Sequence, residues 1–245
     1  MFGFGSVFGS FMLEGGQVGA LILMPAMVIV FGGTIATAMI GTSMSEVLGL
    51  GTLFRICLLP PRFPMTEAID TLVSLANISR KDGLLMLERE LGRLPNPFMT
   101  RLLRFAIDGT DPQVLKSIAD TEVSCVAERH GRGATMFVKM GGYSPTMGII
   151  GTVMGLIATL AAAGQDPNEL IHHIASAFIA TLWGVFMANL VWLPIGDKLK
   201  NIHRDEELFM GLIAEGVMGI QAGEVPSVIK AKLRSMLPGS MQEKS

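Results

Sequence analysis

"SPTMGIIGTVMGLIATLAAA", residues 144–163, is the stretch on which the fold turns. It carries no charge and has the ~20 residues that ~30 Å of hydrocarbon demands of a helix. It is not the run of Leu, Ile and Phe that a plain anchor uses. Gly, Ala, Thr and Ser fill it, and Pro145 sits at its start. In a membrane helix, small and hydroxyl residues allow close approach to another helix and offer it polar contacts.

The rest of the chain fits a membrane protein with a soluble part. Of its 245 residues, 50% are hydrophobic and 16% charged, against about a quarter charged in soluble domains. A formal net charge of −2 argues against a nucleic-acid binder, which shows a basic patch. The positive residues are segregated. Residues 1–54 hold no Lys or Arg, 55–139 hold 12, 140–197 none and 198–244 hold 7. Lys and Arg collect in cytoplasmic loops, so 55–139 and 198–245 read as cytoplasmic. Each basic-free block then holds two crossings, about 2–13 and 18–42, then 144–163 and 171–195. They are split by "EGG" at 14–16 and "GQDPNEL" at 164–170. The first is short, since ~12 residues reach only ~18 Å as a helix, and three crossings is the fallback. The predicted fold is an all-α membrane protein with four transmembrane helices and a helical cytoplasmic domain inserted between the second and third. Its parts are 1–45, 46–142, 143–196 and a cytoplasmic tail, 197–245. The opening "MFGFGSVFGSF" lacks the basic region of a signal peptide.

Within the insertion, "LLPPRFP" (58–64) breaks any helix. The spacing predicts helices over 65–78, 80–93, 98–107 and from about 113 toward Gly141, punctuated by "LPNP" (94–97) and "DGTDP" (108–112). Asp111 is placed as N-cap and Pro112 at the first helical position. "LERELGR" (87–93) sets Glu88, Arg89, Glu90 and Arg93 in alternating sign. Such a run is either a solvated helix face or a partner surface that works by charge complementarity.

Several chemistries are missing. There is no G-x-x-x-x-G-K-[ST] loop and no nucleophile–base set within one compartment. No catalytic residue is assigned, and the chain is not expected to be an enzyme. Cys57 and Cys125 match no metal spacing and are expected to be buried reduced thiols. His172 and His173 lack partner ligands, so no metal or cofactor is expected. Residues 144–163 and 174–196 also contain no acid or base, where a self-sufficient ion transporter carries one.

Two stripes stand out. Gly148, Thr152, Gly155 and Thr159 share one helix face, and so do Ala177, Thr181, Gly184 and Ala188. Packing of the two helices accounts for the small residues, but it does not demand threonine. Pro145 and Pro194 both fall near the cytoplasmic boundary. Each deletes a helical hydrogen bond, which makes a hinge layer or, taken singly, a simple helix end.

Together "LEGG", "MPAMVIVFGGTIAT", "DGTDP", "DTEVSCVAERH", "GGYSPTMGIIGTVMGLI" and "SAFIATLWGVFMANLVWLPIGDKLK" resemble the MotA/PomA family. These are the A subunits of the bacterial flagellar stator, relatives of TolQ and ExbB. The likeness spans roughly residues 10–205. It implies a multi-pass protein of the bacterial inner membrane, with five A chains around two MotB/PomB-type B chains. The B helix supplies the membrane aspartate that takes up the ion, so the missing carboxylate is borrowed. The resemblance also assigns residues. Gly148, Thr152, Gly155, Ala177, Thr181 and Gly184 line the ion path. Thr181 matches the family's pore threonine, and Thr152 a position that tends to be Thr in sodium-driven members. Pro145 and Pro194 match the coupling prolines. Arg89, with Glu90 and Arg93, matches the contact to the rotor protein FliG.

Na⁺ is favoured over H⁺ as the driving ion, because hydroxyl oxygens are hard ligands. One departure concerns the rotor contact. The acid that the family places about two turns beyond Arg89 falls in "PNPF" (95–98), which has none. Arg93, Arg101 and Arg104 are then candidates to share the contact. The alternative is a TolQ/ExbB-like energiser of another envelope machine. Those proteins carry the insertion after one crossing, whereas two precede it here. The third and fourth crossings are expected to line the central hole of a homo-oligomeric ring.

Overall fold

The computed structural model describes residues 2–161, 167–237 and 239, and among them there is no strand. The helices are α1 (Phe2–Leu13), α2 (Met24–Met27), α3 (Gly33–Ile40), α4 (Met44–Leu58), α5 (Met65–Asp82), α6 (Pro97–Ile107), α7 (Pro112–Ala161), α8 (Pro167–Met187), α9 (Leu193–Gln221) and α10 (Pro226–Ser235). A π turn, Val28–Gly32, joins α2 to α3, and another, Ala188–Trp192, joins α8 to α9. The chain forms two compact units. One comprises Met1–Pro60 and Gly131–Lys200, the other Pro61–His130 and Asn201–Ser245. Two stretches are long and apolar enough to cross a membrane, Pro112–Ala161 and Leu170–Gln221. Gly3–Leu13 and Met24–Ile40 are shorter apolar helices. The turn expected at 164–170 lies partly outside the described residues.

In the first unit, Trp183 of α8 organises the N-terminal segment. Its indole Nε1–H donates to the Leu21 carbonyl at 2.8 Å. The rings of Phe8, Phe31 and Phe186 surround it, with centroids 6.2, 6.0 and 5.2 Å away. The helix expected over 18–42 starts later, at Met24. Val18–Leu21 is a 3-10 turn and Leu23 is extended. Pro25 explains the delay, because its missing N–H is harmless only in a first turn.

Both long helices run through their prolines. α7 does not stop near Gly141 but continues as 50 residues with Pro145 inside it. Likewise the helix expected to end at 195 passes Pro194 and reaches Gln221. Neither proline is a simple terminator. A proline removes one N–H···O bond and crowds the carbonyl four residues back. The π turn Ala188–Trp192 sits just ahead of Pro194, where a widened turn relieves that crowding.

The second unit has an ordinary apolar core, in which Leu72, Leu87, Leu103, Ile213, Val217 and Leu233 are fully buried. α5 runs unbroken past residue 78 to Asp82 and ends at Gly83, whose φ of 90° turns the chain. The helix expected over 80–93 is replaced by 3-10 turns, Leu84–Arg89 and Leu91–Arg93, which bury Leu87 and Leu91. The cap expected at Asp111 forms, and Asn96 adds one at the start of α6. Asn96 Oδ1 accepts the Met99 N–H at 3.0 Å, and Asp111 Oδ1 accepts the Gln113 N–H at 2.8 Å. Cys57 is buried, but Cys125 is exposed. It lies on a polar face of α7 with Lys116, Asp120 and Glu128, which corrects the expectation of two buried thiols.

Candidate functional site

The two stripes of α7 and α8 face each other. A Cβ added at Gly148 would lie 2.8 Å from the Ala180 carbonyl oxygen. At Gly184 it would lie 2.7 Å from the Ser144 carbonyl oxygen, and at Gly155 2.8 Å from the Ala177 Cβ. Only hydrogen fits between these backbones, so Gly148, Ala177 and Gly184 are buried in the seam.

The close approach brings the threonines together. Thr152 Oγ1 lies 3.0 Å from the Gly148 carbonyl oxygen and 3.0 Å from that of Ala177, and it hydrogen-bonds the Thr181 hydroxyl. A hydroxyl has a single proton. Thr152 therefore donates to one carbonyl at a time and can accept from Thr181. Four oxygens from two helices thus share one place, and both threonines remain partly exposed. Thr159 instead bonds back to the Gly155 carbonyl at 2.8 Å. Two further hydroxyls that sequence reasoning passed over, Thr34 and Ser144, are fully buried with no hydrogen-bond partner among the described residues.

The prolines belong to helices that touch nearby. A Cβ at Gly141 would lie 2.6 Å from the Leu193 side chain, so Leu193 fills the hollow left by glycine four residues before Pro145. Pro145 is half-buried and Pro194 exposed. On its outer face α7 shows Ile149, Val153, Ile157 and Leu160, all exposed, the surface expected of a helix covered by lipid or by other chains.

In the second unit, Arg89 and Arg93 are exposed on the 3-10 turns, and Glu90 is paired with Arg93 at 3.5 Å. Arg101 pairs with Glu122 of α7. Arg104 is exposed.

Fold and site define an all-helical chain of membrane type, with a hydroxyl-bearing helix seam that carries no acid or base. Residues 91–211 match the MotA/TolQ/ExbB proton channel family, and residues 1–83 match the motility protein A N-terminal family. Motility protein A of Bacillus subtilis (strain 168) is 34% identical over 92% of this chain and 84% of its own length. Chemotaxis protein PomA of Vibrio alginolyticus is 32% identical over 92% and 88%. A solved flagellar MotAB stator complex from Bacillus subtilis superposes with a TM-score of 0.91 at 33% identity, covering 98% of this chain and 94% of that one. The chain belongs to the MotA/PomA family of flagellar stator A subunits.

Proposed function

We propose that this chain is the ion-conducting A subunit of a flagellar stator, turning ion flow across the inner membrane into torque on the rotor. The observation that carries this reading is the Thr152–Thr181 hydroxyl pair, set with two backbone carbonyls in a seam that has no ionisable group. Such a seam can pass or hold an ion but cannot bind one by charge. The charge comes from a MotB/PomB-type partner whose membrane helix carries an aspartate. The likeness to a MotAB stator complex supports that partner and an oligomeric assembly, for which the proposed arrangement is five A chains around two B chains. The match of residues 1–83 to the motility protein A N-terminal family favours a stator over a TolQ/ExbB-like energiser. In this reading four segments cross the membrane, 143–196 holds the last two, and 46–142 and 197–245 are cytoplasmic. Gly148, Gly155, Ala177 and Gly184 set the spacing of the ion path, Pro145 and Pro194 couple it to the cytoplasmic part, and Arg89, Glu90 and Arg93 face FliG.

Sodium is the proposed ion. Hydroxyl and carbonyl oxygens together replace part of a sodium hydration shell, whereas a proton needs only the borrowed aspartate. Swimming speed is measured against external sodium at fixed pH, in a stator-less host carrying this chain and its B partner. Wild-type speed should rise with sodium and Thr152→Ala should lose most of that response. A wild-type speed indifferent to sodium overturns the ion assignment and leaves Thr152 as a packing residue. For the rotor surface, Arg89→Glu should weaken torque and recover in part with a reversed charge on FliG, because the contact works by charge complementarity. Unchanged swimming returns Arg89 to a solvated face.

A further inference from the structure

The second unit holds a side-chain cluster that the stator function does not use. His130 lies near the middle of α7. His203 and Glu206 lie on α9, three residues apart and therefore on one face. A ring nitrogen of each histidine and a carboxylate oxygen of Glu206 all lie within 4.8 Å of one another. His130 Nδ1 is 2.8 Å from Glu206 Oε2, and the two imidazole rings stand nearly perpendicular, 88° apart, with centroids at 5.7 Å. His203 Nδ1 is buried and has no hydrogen-bond partner among the described residues. Buried ring nitrogens normally have one.

We propose that His130, His203 and Glu206 form a site for a borderline divalent cation of the Zn²⁺ or Co²⁺ class. Two imidazoles and one carboxylate are the donor set such ions take, and they leave a fourth position for water. Ca²⁺ and Mg²⁺ prefer all-oxygen shells. Around a tetrahedral ion with bonds of ~2.1 Å, ligand atoms sit ~3.4 Å apart. The cluster needs side-chain movements of about an ångström, with no change in the helices. The orphaned nitrogen of His203 gains a partner, and the ion sits between His130 and Glu206.

The position gives the site a consequence. His130 is the last residue of its segment of the second unit, and His203 follows closely on Asn201, where the chain re-enters that unit. The ion therefore staples α7 to α9 within the second unit. A bound ion stabilises the folded chain in proportion to its occupancy.

The test uses the full chain in detergent, stripped of metal, titrated with Zn²⁺ against a chromophoric chelator and separately with Co²⁺. Wild type should bind one equivalent per chain, raise its thermal midpoint with zinc, and give the intense visible bands of low-coordinate, nitrogen-ligated Co²⁺. His203→Ala and His130→Ala should each weaken binding at least tenfold and abolish the thermal shift. His172→Ala, which alters the neighbouring-histidine pair of the first unit, should keep both. Equal binding in wild type and His203→Ala overturns the site, as does no saturable binding below about 100 µM zinc. If His203→Ala does not fold, His130→Ala decides: loss of the nitrogen-ligated Co²⁺ bands there, with His172→Ala keeping them, upholds the site, and bands kept in His130→Ala overturn it.

Discussion

The α7–α8 seam of the first unit and the core of the second are held by different contacts. In the first, glycines lie at the heart of the α7–α8 seam, and large side chains such as Ile157, Leu160 and Phe178 point outward, 61%, 75% and 70% exposed. In the second, Leu72 and Leu103 are fully buried, while Gly83, Gly109 and Gly223 sit at exposed turns with positive φ. The difference follows from the surroundings. In water, burying apolar side chains drives packing, at about 25 cal/mol per Å². Among lipid tails that drive is absent between helices, so association rests on close backbone contact and hydrogen bonds. The hydroxyls of Thr152 and Thr181 belong to that second kind of chemistry.

The sharpest way to break this contrast is to shorten a large side chain in each unit. Leu103→Ala empties part of a fully buried site and should cost about 2–5 kcal/mol, read as a lower denaturation midpoint of the purified chain. Ile157→Ala removes an outward side chain and should stay within about 0.5 kcal/mol. Similar losses from both changes would mean that Ile157 is packed inside the single chain after all.

A smaller effect comes from adding one methyl. At Gly184 the obstacles are backbone atoms, the Ser144 carbonyl oxygen at 2.7 Å and the Gly148 Cα at 3.1 Å, which cannot swing aside. Gly184→Ala should destabilise by about 1–3 kcal/mol through overpacking and loosen the Thr152–Thr181 contact. Gly211→Ala in α9 meets only the Met236 methyl, at 4.0 Å. It should be neutral or stabilise by up to about 1 kcal/mol, the helical advantage of alanine. Thermal unfolding of the two variants side by side checks this, and a harmless Gly184→Ala would show that the seam has slack.

How much of this was legible in the sequence depended on whether the signal was local. Lys and Arg segregate in long blocks, so a division of the chain into basic and basic-free parts could be read from charge alone. The cap at Asp111 acts within three residues, and the stripe spacing put Thr152 and Thr181 on matching faces. The prolines misled, because a proline deletes only one hydrogen bond. Neighbouring packing, such as Leu193 in the hollow of Gly141, keeps the helix going, and no local pattern shows it. Gly83 hid the 3-10 turns because its positive φ is a property of the folded chain. The pairing of Arg101 with Glu122 and the grouping of His130 with His203 and Glu206 join residues of different helices, a proximity only tertiary structure supplies.

The smallest expected effect concerns charge in the second unit. Lys232 of α10 hydrogen-bonds Glu215, and its Nζ lies 3.7 Å from Glu224. The bond to Glu215, helped by both carboxylate charges, raises the Lys232 pKa above the ordinary 10.5. A raised lysine pKa means that the folded state holds the proton more tightly than the unfolded one. The contribution is therefore complete below pH 10.5 and is lost only as pH climbs through the higher folded value. At 46% exposure of its side chain, water screens the pair, and Lys232→Met should cost no more than about 1 kcal/mol. The gap between wild type and Lys232→Met in thermal midpoint should be constant from pH 7 to pH 10 and close above 10.5. It should also shrink in high salt, as surface pairs do. A gap that instead stays open well above pH 10.5 would show that the variant disturbs the packing of α10 on α5, where Leu233 is buried, rather than an ion pair. The second unit would then depend at that edge on the same close contact as the first.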